Sequence, residues 1–363
     1  MWSAGAGKAS VEVGEAGQVQ IHAFPGAEEV GPKQAEKARD LRNVVSVRYH
    51  SSPMTETGPI FPVCPLCRKH LEWNSESIAC RHCGASFSYE NRIPNLIVGE
   101  RFDDDDDRAR SEYEVLSNEH LSREYLIPTF RRLFPGRERP KVLSLGCGVG
   151  TDIDLLTEAG FDIVGIDCGN RSRLWPERKH WSHLFLANGK CLPFEDQTFD
   201  LAYCGCVFPH VGVEGDSNRV VPNYREERMK IAREMTRVIK PQGYIMVSSP
   251  NRKFPVDLFH GRSPEQPIPR LNPPWNPFLL SAGDYERMFS EAGCQNARTL
   301  PVKGYWGFVR MKQSWKGRMM AFPIDTVFSM VSNPGLGFLR GSIVNPWLAM
   351  LFRRSGGFQL GSW

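Results

Sequence analysis

The sequence predicts an α/β protein built on a mainly parallel sheet covered by helices on both faces, with a small cysteine-held module in front of it. Three observations carry this. Short β-rich runs alternate with helical periodicity from about Ser111 onward. One of those runs ends in a glycine turn, Val142-Leu143-Ser144-Leu145-Gly146-Cys147-Gly148-Val149-Gly150, followed by a helical pattern. Upstream, Cys64-Pro65-Leu66-Cys67 and Cys80-Arg81-His82-Cys83 form two C-x-x-C pairs. Strand, turn, helix and strand in repetition are what a parallel sheet with crossover helices requires.

Residues 1–57 are rich in Gly, Ala, Glu and Lys without a sustained apolar period, so a poorly ordered segment is expected there. A compact cysteine unit follows over 58–100. The consecutive acids Asp103 to Asp107 then read as a solvated linker or helix start. The catalytic-sized domain is expected over 101–310. Within it, Ser111 to Phe134 reads as helix, Lys141 to Leu145 as strand and Asp152 to Ala159 as amphipathic helix. Asp162 to Ile166 and Phe199 to Cys204 read as strands, Tyr224 to Ile239 as helix and Tyr244 to Ser248 as strand. Seven prolines between Asn251 and Phe278 predict a long loop, the kind that serves as a lid or substrate-binding segment. Residues 311–363 read as a basic, apolar C-terminal extension.

Composition is ordinary for a globular protein, with 41% hydrophobic and 24% charged residues among 363. The net charge of +4 is concentrated late: Lys303, Arg310, Lys312, Lys316, Arg318, Arg340, Arg353 and Arg354 face one acid, Asp325, beyond Pro301. Ten cysteines, four in two pairs and six scattered, suit a reducing compartment with one metal site better than a disulfide framework. The N-terminus shows neither a signal peptide nor, with Glu12, Glu15, Glu28 and Glu29, a transit peptide. No apolar stretch is long enough to span a bilayer, and a cytoplasmic location is expected.

The two cysteine pairs stand twelve residues apart, and a hairpin between them brings four thiolates together. Four thiolates in a tetrahedron make a closed structural zinc site with no open position for catalysis. Cys64, Cys67, Cys80 and Cys83 are the expected ligands, and the metal should contribute much of the unit's folding energy. The segment, with the tail Asn91-Arg92-Ile93-Pro94-Asn95-Leu96-Ile97, resembles zinc ribbons found in front of some bacterial methyltransferases and in small methyltransferase-activator proteins.

The glycine turn lets the backbone approach a ligand closely where a helix starts with free N–H groups. Its G-x-G-x-G form differs from the G-x-G-x-x-G of nicotinamide enzymes. Asp167 ends the next strand, where a carboxylate can accept from both hydroxyls of a ribose. Ala187-Asn188-Gly189-Lys190-Cys191-Leu192-Pro193-Phe194, then Phe199-Asp200-Leu201 and Arg237-Val238-Ile239-Lys240-Pro241-Gln242-Gly243, follow in order. Together these resemble class I S-adenosylmethionine-dependent methyltransferases, of the type 11-like domain, over roughly Lys141 to Gly293. The resemblance implies a Rossmann-like, mainly parallel seven-stranded sheet. It also implies a cofactor site at Gly146, Cys147, Gly148, Gly150, Asp167, Asn188, Gly189, Cys204 and Gly205. Two positions depart from the family: Ser144 stands where an acid is usual, and Asn188 where Asp is frequent.

For the acceptor, His210 after the fourth strand is the candidate base, with Asp257, His260 and Tyr285 as weaker candidates. Asn272-Pro273-Pro274-Trp275 resembles the tetrapeptide of amino-group methyltransferases but lies in the wrong place, and is expected to be loop. The expected function is methyl transfer from S-adenosylmethionine to oxygen or nitrogen of a small-molecule or lipid-type acceptor. The alternatives are an RNA methyltransferase gripping RNA with the ribbon, and, from Ser144 and Asn188, a binding module without activity. The C-terminal extension, mixing basic residues with Trp315, Met319, Met320 and Phe322, is expected to cover the core, to dock a partner or to touch an anionic membrane surface.

Overall fold

The computed structural model describes residues 60–101, 108–215, 217–259, 270–273 and 275–356. The expectations for residues 1–57, for the acid run and for His260 lie outside the described residues. Residues Ser51–Trp363 form one compact unit.

Four short strands open it: β1 (Glu72–Trp73), β2 (Ile78–Ala79), β3 (Ser86–Glu90) and β4 (Ile93–Asn95), each antiparallel to the next. Helix α1 (Arg108–Leu121) then runs through a π turn at Ser122–Leu126 into α2 (Ile127–Leu133). The expected single helix is thus interrupted. Pro128 has no N–H to close an α turn, and the wider turn seats Tyr125 and Leu126 in the core.

The central strands are β5 (Lys141–Leu145), β6 (Asp162–Asp167), β7 (Leu184–Leu186), β8 (Phe199–Gly205) and β9 (Ile239–Pro250). Helix α3 (Thr151–Glu158) joins β5 to β6, and α4 (Tyr224–Val238) joins β8 to β9. The prolines after β9 enclose a small flap, β10 (Val256–Asp257) paired antiparallel with β11 (Arg270–Leu271), where loop alone was expected. Helix α5 (Ala282–Glu291) starts in a capping box between Ser281 and Asp284 and leads to β12 (Cys294–Thr299). Helix α6 (Trp315–Ser332) and a 3-10 segment lead to β13 (Trp347–Arg354).

Among the described residues one sheet holds eleven strands, in the order β1-β2-β3-β4-β7-β6-β5-β8-β9-β13-β12. It is parallel from β4 to β9 and antiparallel at both ends. Val142, Leu143 and Leu145 on β5 and Leu201, Ala202 and Cys204 on β8 are buried whichever face they point to, as crossover helices on both sides require.

Two expected boundaries need correction. The cysteine unit is not separate, because β4 continues the large sheet through Asn95 beside Leu186, and the N–H of Leu96 donates to the Leu186 carbonyl at 2.8 Å. Seven strands therefore become eleven. The last strand, β13, lies between β9 and β12 and is core, not extension. Trp347 to Phe352 are consecutively buried, so the run has no alternation and reads in sequence as an apolar patch.

Candidate active site

Where β5 ends, the chain turns through the glycines and α3 begins at Thr151. Gly148 has φ +53, a left-handed conformation in which an L side chain is strained, so the turn favours glycine there. Asp167, at the end of β6, is held by three backbone donors: Gly148 N–H to Oδ2 at 2.8 Å, and Cys168 and Gly169 N–H to Oδ1 at 2.7 and 2.8 Å. The carboxylate thus locks the glycine turn to the neighbouring strand end and keeps spare lone pairs for hydroxyl donors. Asn188 follows β7. Its Oδ1 accepts from Lys190 N–H at 2.9 Å and its Nδ2 donates to the Glu100 carbonyl at 2.9 Å.

These residues share one cavity of about 910 Å³. Of the residues expected from sequence, Gly146, Cys147, Gly148, Asp167, Asn188, Gly189, Gly205 and His210 line it. Gly150 and Cys204 are corrections, as neither does. A Cβ on Gly150 would sit 3.2 Å from Leu184 and 3.4 Å from Trp175, so that glycine serves the packing of the turn on β7. Cys204 is buried in β8 at 2% exposure, and strand alternation turns its thiol away from the cavity that Tyr203 and Gly205 line. Burial pushes the Cys204 and Cys147 thiols well up.

The far end of the cavity is aromatic. Phe259 stacks on Trp306 at 5.1 Å, and Trp347 meets Trp306 edge-on at 4.9 Å and Tyr305 at 5.2 Å. The Tyr305 and Ser248 hydroxyls are hydrogen-bonded, and Tyr305 Oη comes within 3.4 Å of where a Cβ on Gly205 would sit. This wall joins Phe259 of the proline-rich segment expected to bind substrate with residues from the loop before α6 and from β13, and none of the expected site residues belongs to it. The run Gly304-Tyr305-Trp306-Gly307-Phe308 was the available signal. Tyr285, by contrast, donates to Ser249 Oγ at 2.9 Å inside the core, and Asp257 caps the Phe259 N–H at 3.0 Å; neither lines the cavity. Trp275 is exposed, away from the site, in keeping with a loop tetrapeptide.

Cys64, Cys67, Cys80 and Cys83 bring four sulfurs within 4.8 Å of one another, with Cys64–Cys83 at 3.6 Å and Cys67–Cys80 at 3.4 Å. A tetrahedral zinc with bonds of about 2.3 Å has sulfur-to-sulfur edges of about 3.8 Å, so the cluster has the size of such a site. The N–H of Cys83 pulls the Cys80 thiol down to about 7, whereas burial pushes Cys64 up to about 12 and raises Cys67. The cluster backs onto the cofactor half. Val63 N–H donates to the Pro193 carbonyl at 2.9 Å, and the Cys191 thiol donates to the Pro65 carbonyl at 2.7 Å.

Residues 143–247 match the methyltransferase domain family. The protein is a methyltransferase. The matched span runs from β5 to β9 and so covers the glycine turn, Asp167, Asn188 and Gly205. No curated protein matches the sequence. Similar solved structures include a SAM-dependent methyltransferase from Aquifex aeolicus, at 16% identity over 56% of this chain and 95% of that one, TM-score 0.37. A candidate sarcosine dimethylglycine methyltransferase from Galdieria sulphuraria follows at 18% identity over 66% and 87%, TM-score 0.40. Phosphoethanolamine N-methyltransferase 2 of Haemonchus contortus shares 14% identity over 68% of this chain, TM-score 0.38, and only 59% of its own length is covered. The cofactor of this methyltransferase is S-adenosylmethionine. The chain's residues fit it: a glycine turn at a helix start, a strand-end carboxylate, and a buried Asp152 oxygen without a hydrogen-bond partner in the same cavity.

Proposed function

We propose that the protein moves the methyl group of S-adenosylmethionine to an oxygen or nitrogen of a small-molecule or lipid-type acceptor with an apolar body. The observation that carries this is the single cavity, which joins the glycine turn, Asp167 and Asn188 to the wall of Phe259, Tyr305, Trp306 and Trp347. The cofactor supplies an electrophilic methyl on a sulfonium. Asp167 accepts from the ribose hydroxyls, and Asn188 Oδ1 keeps a lone pair for the adenine amino group. Gly205 and Cys206 leave room between the two halves. The aromatic wall excludes water and orients the acceptor, and His210, on the cavity lining, takes its proton. Zinc on Cys64, Cys67, Cys80 and Cys83 holds the ribbon, which braces residues 191–193 beside the adenine side.

A second surface favours a lipid-type acceptor. Helix α6 buries Gly317, Ala321, Phe328 and Val331, yet Trp315, Met319, Met320 and Phe322 are each more than 60% exposed. Arg310, Lys312, Lys316 and Arg318 lie alongside, with Asp325 the one acid of the helix, paired to Lys312 at 2.7 Å. An apolar stripe edged by cations suits an anionic bilayer surface, and we propose peripheral contact there from the cytoplasmic side. No described helix is long and apolar enough to cross a membrane.

The test incubates purified protein and methyl-labelled S-adenosylmethionine with lysate separated into RNA, protein, lipid and small-molecule fractions. Label in the lipid or small-molecule fraction is expected; label in RNA would overturn the acceptor class. For the surface, Trp315→Ala with Phe322→Ala should abolish sedimentation with phosphatidylserine vesicles, and unchanged sedimentation would refute it. Truncation at Met311 is no substitute, since it removes core strand β13.

A further inference from the structure

Ser144, where the resembled family carries an acid, donates its hydroxyl to Asp152 Oδ2 at 2.7 Å. Tyr203 Oη donates to the same oxygen. Asp152 is the second residue of α3, eight positions along the chain, and is 5% exposed. Its other oxygen, Oδ1, is buried without a hydrogen-bond partner although Asp152 lines the cavity. A buried carboxylate is costly unless it is paired. Here two hydroxyls satisfy one oxygen and the helix N-terminus favours its charge, while no ion pair involves it among the described residues. Burial nonetheless pushes the carboxyl above the usual carboxylate range, against the downward pull of the Tyr203 and Ser144 hydroxyls and of the backbone N–H groups of Asp152 and Ile153.

We infer that Asp152 replaces the acid missing at position 144 and binds the α-ammonium of the cofactor's methionine end through its carboxylate, with Ser144 and Tyr203 as its holders. This rests on the reading of the cavity as an S-adenosylmethionine site. The chemistry of the residue fits: a buried carboxylate on the cavity lining, one oxygen fixed by two hydroxyl donors and the other without a hydrogen-bond partner, suits a ligand that carries three N–H donors and a positive charge. The site has a carboxylate as the family's does, carried on the helix start rather than on the strand end. Ser144 changes from a substitution that weakens the site into the group that aims its carboxylate.

The experiment compares two ligands by calorimetry on the full chain. S-adenosylhomocysteine carries the amino-acid end, and 5′-methylthioadenosine lacks it. Asp152→Asn should weaken S-adenosylhomocysteine at least about tenfold, the scale of a lost charge-assisted hydrogen bond, and leave 5′-methylthioadenosine within about twofold. The exchange Ser144→Asp with Asp152→Ser should restore the lost affinity in part. Ser144→Ala, which removes one holder only, should show the same ligand-selective loss at smaller size and serves if D152N does not fold. Equal weakening of both ligands would assign Asp152 a structural role and overturn the inference, as would no weakening of either. Wild-type protein that binds neither ligand would sink the cofactor reading itself, an outcome distinct from a selective failure of D152N.

Discussion

The two halves of the cavity are made of different material. The cofactor half is built mainly from backbone N–H groups and short polar side chains between Ser144 and Gly189, and Asp152 and Asp167 there have named donors. The acceptor half is built from large rings drawn from Phe259, Tyr305–Trp306 and Trp347, which touch one another more than they touch polar groups. A polar site fixes a ligand by direction and has few sequence solutions. An aromatic wall fixes one by shape and area, and many combinations of residues serve. The cofactor is therefore specified by atoms, and the acceptor by a surface.

The ribbon tests whether the halves are separable. It leans on residues 186–193 of the cofactor half through Val63, Pro65 and Leu96, and not on the rings. Structural zinc contributes of the order of 10 kcal/mol to small cysteine modules, so metal removal should be the largest single perturbation. We expect chelation to lower the melting temperature and, through Asn188 and Gly189, to weaken S-adenosylhomocysteine binding in calorimetry. A chelated protein with unchanged cofactor affinity would show that the ribbon is an appendage despite its place in the sheet.

Trp347 crosses the division from the other side, since it is at once a wall residue and a 1% exposed core residue of β13. Trp347→Ala should cost about 3–5 kcal/mol, the usual range for deleting a buried large ring, read as a shifted urea midpoint at constant slope. A loss under about 1 kcal/mol would mean that β13 is held by its neighbours alone. Asp167→Ala comes next, weakening the cofactor by at least about 1.5 kcal/mol through a lost charge-assisted hydrogen bond while leaving the acceptor KM unchanged. Unchanged cofactor affinity would remove Asp167 from the ribose.

What could be read from the sequence follows the same division. Gly146, Gly148, Asp167 and Asn188 were legible because backbone geometry ties them to fixed positions along consecutive strands. Cys64, Cys67, Cys80 and Cys83 were legible because a tetrahedron dictates spacing. Asp152 was not, since an acid in the first turn of a helix has an ordinary reading as a partner of the helix dipole, and only its neighbours Ser144 and Tyr203 set it apart. Cys204 was named beside Gly205 because the sequence does not say which of two adjacent strand residues faces a ligand; alternation puts Gly205 on the cavity. The role of β13 was hidden for the opposite reason: a strand buried on both faces loses the alternation that marks strands.

The smallest effect we expect is also the one that bears most directly on the acceptor. Trp306 is partly exposed, stacks on Phe259 and Phe308 and touches β13 at Trp347, so its removal costs the fold less than that of the fully buried Trp347. Trp306→Ala should cost the acceptor about 1 kcal/mol, the scale of one aromatic contact, seen as a roughly fivefold rise in acceptor KM at constant kcat and constant cofactor affinity. A fall in kcat with KM unchanged would mean that the ring acts on the methyl transfer rather than on binding. A change in cofactor affinity would mean that the two halves are one site, and that the boundary drawn at Gly205 and Cys206 is in the wrong place.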